Sequence, residues 1–260
     1  MPTGNLRNFY LYLPEFYEKA GFAQYSEALI PRILTLAQQS DWIGRRVMDL
    51  ACGIGSAAIW LAHEGFRVTG VDLSNEMLIK ARNKAQQAAI SSVNWRQQDI
   101  RALDYSEGTL DLVTCFQALN FMQSLRDLEK VFSNAYQALS PDKLFIFDME
   151  TIEGMANRWG TRDHVLYDNG QDLLIVVKSA FSYESLANSK HYIIYYDDGG
   201  GWQRVEEEHV ERGYPLQAII TLLDRAGFHA VRILNADLEP FDPDHDHAER
   251  VLFVARKPPA

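Results

Sequence analysis

The sequence predicts an α/β protein: a doubly wound, mostly parallel seven-stranded sheet with helices on both faces, carrying an antiparallel β insert as a cap. Two observations predict it. From Arg45 to Glu150, and again after Pro215, short apolar runs alternate with helical periodicity, the pattern of strand–helix–strand crossovers. Between them the runs are β-rich and divided by Asn169-Gly170, Asn188 and Asp198-Gly199-Gly200-Gly201, which read as hairpin turns.

Each element follows from its own residues. The stretch from Asn5 to Gln39 is aromatic and then amphipathic, with Tyr25, Ala28, Leu29, Arg32, Ile33 and Leu36 at helical steps. Arg46 to Leu50 reads as a strand, Ser56 to Glu64 as a helix and Arg67 to Val71 as a strand. Ser74 is the N-cap of a helix reaching about Gln87. Ser92 to Arg96, Leu110 to Phe116 and Leu144 to Phe147 are further strands, the last two separated by a helix of about Ser124 to Leu139 that Ser-Pro-Asp closes. The insert holds His164 to Tyr167, Leu173 to Tyr183, Lys190 to Tyr196 and Trp202 to Val210. Pro215 to Ala226 is a helix with Pro at its start and Gly227 at its end. Phe228 to Leu234 and Arg250 to Val254 complete the sheet.

Composition narrows the function. The 260 residues are 47% hydrophobic and 23% charged, which suits a full globular core and excludes a disordered or fibrous chain. Lys and Arg total 25 against 35 Asp and Glu, a net charge of −10 that repels nucleic-acid backbones, and no basic patch offsets it. No apolar run approaches the ~20 residues of a membrane span. Two cysteines, Cys52 and Cys115, and no signal-peptide pattern lead to the expectation of a cytoplasmic protein. Asp244-His245-Asp246-His247 places alternating ligands in a surface loop with no partner cluster, so no metal is assigned.

The most informative stretch is Val47-Met48-Asp49-Leu50-Ala51-Cys52-Gly53-Ile54-Gly55-Ser56, a strand end, a glycine turn and a helix start. Glycine there lets a ligand approach the backbone, and the helix N-terminus offers free N–H groups. Gly53, Gly55 and Ala58 also satisfy the dinucleotide pattern, so an NAD(P)-dependent oxidoreductase is the rival reading. Three carboxylates bear on the choice. Asp49 at the mouth of the strand opposes a pyrophosphate and suits an ammonium group. Asp72 ends the next strand, 19 residues after Gly53, where a carboxylate accepts both ribose hydroxyls. Asp99, in Gln98-Asp99-Ile100 after the third strand, stands where it would accept from an exocyclic amine, with Ile100 on the ring face.

On these residues the sequence resembles the class I S-adenosylmethionine-dependent methyltransferases over roughly Tyr17 to Glu150 and the final helix and two strands. Asp49-Leu-Ala-Cys-Gly-Ile-Gly is similar to the family's first motif, Val71-Asp72-Leu73-Ser74-Asn75-Glu76-Met77-Leu78 to its second and Gln98-Asp99-Ile100 to its third. Leu110-Asp111-Leu112-Val113-Thr114-Cys115-Phe116 corresponds to its fourth strand. The family's usual Thr or Ser after the first glycine is Ile54 here, which takes a hydroxyl away from that point. The resemblance implies a Rossmann-like sheet with S-adenosyl-L-methionine as cofactor and S-adenosyl-L-homocysteine as product. It implies Asp49, Ala51 and Gly53 around the methionine moiety, Asp72 on the ribose and Gly55 as a further cofactor-binding residue. Leu73 and Met77 pack on the adenine, Asp99 and Ile100 read its edge and face, and Phe116 or Gln117 lies near the sulfonium. The expected organisation is a helical lid at 1–44, a cofactor-binding core at 45–150, the cap at 151–213, and the last helix and two strands at 214–260.

Within the class the sequence looks most like amino-sugar and glycine or sarcosine N-methyltransferases, which place an aromatic N-terminal segment over the cofactor. Phe16-Tyr17-Glu18 and Tyr25 are the counterparts here. That implies a small-molecule acceptor methylated at N or O by in-line displacement, driven by alignment and water exclusion. Where the acceptor must lose a proton, Tyr17, His191 and His209 are the candidate bases. Alternation puts His209 on one strand face with Val205 and Glu211, and Glu206, Glu208 and Arg212 on the other. The run Glu206-Glu207-Glu208 reads as a solvated strand face and the Tyr192, Tyr195 and Tyr196 cluster as sheet packing. Gln117, Arg212 and Tyr214 are candidates for the acceptor. A non-catalytic S-adenosylmethionine-binding protein stays open beside the oxidoreductase, and so does the assembly state, a homodimer included.

Overall fold

The computed structural model describes residues 10–260. The first residues of the aromatic N-terminal stretch, up to 9, lie outside the described ones. A short helix α1 (Leu13–Phe16) and a long α2 (Gln24–Gln39) precede β1 (Arg46–Leu50), α3 (Ser56–His63), β2 (Arg67–Asp72), α4 (Asn75–Gln87) and β3 (Val93–Gln97). Then come β4 (Leu110–Cys115), α5 (Leu125–Ala138) and β5 (Leu139–Glu150). After the turn α6 (Ile152–Gly154), strands β6 (Thr161–Asp168), β7 (Leu173–Ser182), β8 (Ala187–Asp197) and β9 (Trp202–Arg212) follow. Helix α7 (Leu216–Ala226), β10 (His229–Leu234) and β11 (Arg250–Arg256) end the order.

The main sheet runs β10-β11-β5-β4-β1-β2-β3, with β11 antiparallel to both neighbours and the five strands from β5 to β3 parallel. Its central strands are buried on both faces, as parallel strands under crossover helices must be. On one face Val47, Val68 and Leu112 pack with α2 and α3. On the other, Met48, Leu50 and Val113 pack with α5, α7 and a column of rings in which Phe147 stacks on Phe253 at 4.9 Å. Helix α5 starts at a reciprocal cap: Ser124 Oγ accepts from Asp127 N–H and donates to its carboxylate. Gly227, at φ 101°, closes α7.

Helix α5 ends at Ala138, just before the Ser-Pro-Asp sequence. That sequence lies inside β5, where the pairing jumps from Leu110↔Leu139 to Leu112↔Leu144. Pro141 sits in that irregularity, where no ladder hydrogen bond is asked of it.

The second sheet is an antiparallel meander, β6-β7-β8-β9. Asn188 is not its turn residue: β7 and β8 pair from Ser182↔Ala187, and the reversal lies between them, with Leu186 at φ 52°. The inward face, built by alternation, packs Leu173, Ile175, Val177, Tyr192 and Ile194 against Leu13 and Phe16 of α1. The N-terminal segment therefore lies between the second sheet and the carboxyl ends of the first.

Candidate active site

Beyond β1 the chain turns sharply. Ala51, Gly53 and Gly55 have φ of 52°, 54° and 78°, and the Gly55 amide donates to the Cys52 carbonyl at 2.9 Å. The two glycines serve different ends. A Cβ on Gly55 would lie 2.4 Å from the Trp95 ring, so this glycine is required by packing. A Cβ on Gly53 would meet nothing nearer than Met77 Sδ at 4.0 Å, which leaves the backbone open to a ligand. A cavity opens there, walled by Asp49, Ala51, Gly53, Ile54, Phe116 and Gln117 from the sheet and by Tyr17, Ala23 and Ser26 from the N-terminal segment.

The strand ends bring two predicted carboxylates to this turn. Asp49 is buried and accepts from Thr114 Oγ1 at 2.8 Å. Burial pushes it up to about 7; the hydrogen bond opposes the rise and the Asp72 charge adds to it. Asp72 accepts from the Gly53 amide at 2.8 Å and the Ser74 amide at 2.9 Å, so it ties the glycine turn to the start of α4, while burial raises it. Asp99 departs from expectation. Its carboxylate is held by the Arg101 guanidinium and amide, which outweigh the effect of burial and keep it below the usual range. Ile100 beside it packs into the core, while Met77 is buried under the turn and Leu73 remains exposed.

These residues fit S-adenosylmethionine. Asp49, a buried carboxylate with no ion pair among the described residues, suits a cationic amino-acid end. The open side of Gly53 admits the ligand backbone, and Leu73 with Met77 offers an apolar face for a purine. No group of three or more His, Cys, Asp or Glu side chains suited to a metal occurs among the described residues. Burial lifts both cysteine thiols well above their usual range, which makes them poor nucleophiles.

The candidate acid–base residues separate. Tyr17 lies on the cavity wall, 6.2 Å from the Tyr10 ring, and burial reinforced by the charges of Asp72 and Glu211 keeps its phenol protonated. His209 is buried, 4.6 Å from the Tyr10 ring and 4.9 Å from Tyr192, with Nε2 2.9 Å from Glu207 Oε1. His191 lies on the outer face of the second sheet, paired with Glu206 at 2.5 Å, because its parity in β8 is opposite to that of Tyr192. It is not a site residue.

Three further expectations are corrected. Tyr25 does not line the cavity: it covers the Arg250 guanidinium at 5.2 Å and hydrogen-bonds Asp148. Tyr214 is buried in the main core and donates its hydroxyl to the Met122 carbonyl at 2.5 Å. Glu207 is not solvated; it faces inward between Glu206 and Glu208, which face out. Gln117, at φ 55°, reaches both the cavity and the Asp148 carboxylate, to which its amide donates at 2.6 Å.

Between the two sheets lies a polar cluster that sequence reasoning missed. Glu150, at the end of β5, meets Arg250 at 2.9 Å and Arg158 at 3.6 Å. Lys190 is buried, 2.5 Å from Glu211 and 3.8 Å from the Trp159 ring centroid. Asn188 Oδ1 and Nδ2, Glu150 Oε2, Trp159 Nε1 and Arg212 Nε are buried with no hydrogen-bond partner among the described residues. Period-two alternation of β8 and β9 is the signal that points to Asn188, Lys190, Glu207 and Glu211; the pairing of the strands is what joins them to Glu150.

Comparison with known proteins is consistent with this geometry. Residues 47–142 match a methyltransferase domain family. YqeM of Bacillus subtilis (strain 168), provisionally named a methyltransferase, is 30% identical over 213 residues, 82% of this chain and 84% of that protein. A crystal structure of a S-adenosylmethionine-dependent methyltransferase from Clostridium acetobutylicum ATCC 824 superposes with a TM-score of 0.81 at 24% identity, covering 94% of this chain and 97% of that one. CalS10, an amino pentose methyltransferase from Micromonospora echinaspora solved with bound S-adenosylmethionine, superposes with a TM-score of 0.68 at 17% identity, covering 96% and 98%. Both superpositions show a common fold.

Proposed function

The chain belongs to the class I S-adenosylmethionine-dependent methyltransferases, and from that premise we propose that it methylates an N or O atom of a small polar acceptor held between its two sheets. S-adenosylmethionine, when bound, supplies an electrophilic methyl group on a sulfonium, open to in-line displacement. Asp49 would hold the amino-acid end, Gly53 would admit it, and Asp72 would take the ribose. Tyr17, Ala23 and Ser26 roof that end and exclude water.

The observation that carries the acceptor reading is the set of buried polar atoms on Glu150, Asn188 and Trp159 that have no hydrogen-bond partner among the described residues. Each costs about 1–3 kcal/mol unless something completes it. Glu150 follows Asp148, the Gln117 partner, by two residues on the same strand, so the set begins roughly 7 Å along β5 from that partner. Mixed donors and acceptors, inside a cluster where Asp148, Glu150 and Glu211 are matched by Arg250, Arg158 and Lys190, suit an uncharged hydroxyl-bearing region of the acceptor. The amino pentose for which CalS10 is named has that character. With Tyr17 held protonated, proton removal falls to His209, whose ring Glu207 orients.

Radiolabelled methyl transfer tests the reading against a panel of amines, amino sugars and phenols. The expected result is a methylated small molecule formed with equimolar S-adenosylhomocysteine. Asn188→Leu is expected to raise the acceptor KM and leave cofactor affinity unchanged. Turnover confined to protein or nucleic-acid substrates would overturn the proposal.

A further inference from the structure

We propose that Glu207 is a positioning residue of the transferase, fastening segment 10–17 to the second sheet while it sets the tautomer of His209. The inference rests on the cofactor site at the β1–α3 turn and needs no acceptor.

Helix α1 has four residues, and Tyr12 at its N-cap supplies no side-chain hydrogen bond. Its leading amides are gathered instead by one carboxylate oxygen. Glu207 Oε2 accepts from the N–H groups of Leu11 at 3.1 Å, Tyr12 at 2.8 Å and Leu13 at 3.2 Å. Pro14 has no N–H to add, and the Glu15 amide already donates to the Tyr12 carbonyl. A side chain some 195 residues away thus acts as the cap of this turn. Glu207 is 6% exposed, and these three amides with His209 stand in for the water a buried carboxylate loses.

The other oxygen, Oε1, lies 2.9 Å from His209 Nε2. A carboxylate at that distance makes Nε2 the donor, so in the neutral ring Nδ1 is the nitrogen that carries the lone pair. One side chain therefore serves two parts of the site. Tyr17 follows Leu13 by one helical turn, so a fixed Leu13 amide fixes the ring that walls the methionine end of the cavity. The segment is also held from the opposite side. Ser74 Oγ donates to the Tyr10 carbonyl at 3.4 Å, Lys84 meets Glu18 at 2.6 Å, and Lys80 pairs with Glu15. Glu207 is a hydrogen-bonded attachment on the side of the second sheet, beside the apolar packing of Leu13 and Phe16, and cofactor exchange must loosen it or its counterparts on α4.

Three measurements on the full chain, wild type against Glu207→Gln and Glu207→Ala, test this. In cofactor-free Glu207→Ala, the amides of residues 11–13 should exchange hydrogen at least a hundredfold faster, with protection of the main sheet unchanged. S-adenosylhomocysteine should dissociate from it at least tenfold faster. In the isosteric Glu207→Gln, which keeps an acceptor oxygen, amide protection should fall less, while the imidazole 15N shifts of His209 report a changed tautomer. Unchanged exchange and dissociation in both variants would overturn the proposal, as would an unchanged His209 signature in Glu207→Gln. If Glu207→Ala does not fold, the same readings on Glu207→Gln decide. Failure of the wild type to bind S-adenosylhomocysteine would count against the cofactor site instead, since the exchange arm uses no cofactor.

Discussion

Thr114 and Asp49 face each other across the β1–β4 ladder, and the Thr114 hydroxyl donates to the buried Asp49 carboxylate at 2.8 Å. Burial nevertheless keeps that carboxyl near 7. An acid raised in the native state binds its proton more tightly there than in the unfolded chain. Its contribution to stability is complete below the unfolded value, near 4, and is lost as pH rises through about 7. Thermal melting of the cofactor-free protein is expected to fall as pH rises from about 4 to about 7 and to level off above that, and Asp49→Asn to flatten that part of the profile.

Cofactor binding should run the other way. A ligand bringing an ammonium group favours the ionised form of Asp49, so binding below about pH 7 releases a proton. The Kd for S-adenosylmethionine is expected to tighten from pH 6 to 8, by up to about tenfold per pH unit on the acid side. Calorimetry in buffers of different ionisation enthalpy measures the proton directly, and Asp49→Asn should abolish its release.

Gly53 and Gly55 are expected to fail differently when replaced by alanine. Both carry a positive φ, which costs a side-chain residue about 1–2 kcal/mol. Gly55→Ala adds a clash with the Trp95 ring, so urea unfolding should show a loss of more than about 2 kcal/mol. Gly53→Ala has room for its methyl group, and should lose little beyond the backbone cost yet weaken S-adenosylhomocysteine more than tenfold.

Arg250 answers two buried carboxylates, Asp148 at 2.5 Å and Glu150 at 2.9 Å. Arg250→Met would leave both short of their cation, and removing one partner of a buried pair typically costs about 3–5 kcal/mol. Chemical denaturation should show a loss of that order.

His191→Ala provides the contrast. Its ring pairs with Glu206 on the outer face, so stability should stay within about 0.5 kcal/mol of wild type and S-adenosylhomocysteine affinity should not change.

The candidate cofactor site is legible in residue order because it is local. A strand end, a glycine turn and a helix cap lie within ten residues of Asp49, and Asp72 ends the very next strand. Asp99 shows the limit of that reasoning: its position after β3 is as expected, but Arg101, two residues on, takes its carboxylate. The polar cluster between the sheets was legible only as a parity. Alternation separates His209 from Glu206 and Glu208, yet says nothing of which face turns inward, and a run of three acids reads as solvated until the middle one is seen buried.

Composition and strand–helix alternation are enough to predict the fold class, and the spacing of Asp49, Gly53 and Asp72 carries the resemblance that implies the cofactor, since each depends on short-range backbone geometry. The tertiary structure decided the rest. Only the packing of β9 over residues 10–17 turns Glu207 into a cap for amides far away in the chain, and only the closure of one sheet over the other brings Asn188, Lys190 and Trp159 toward Glu150. Burial, which converts a surface charge into a hydrogen-bonded anchor and a tyrosine into a wall, is a property of the assembled fold.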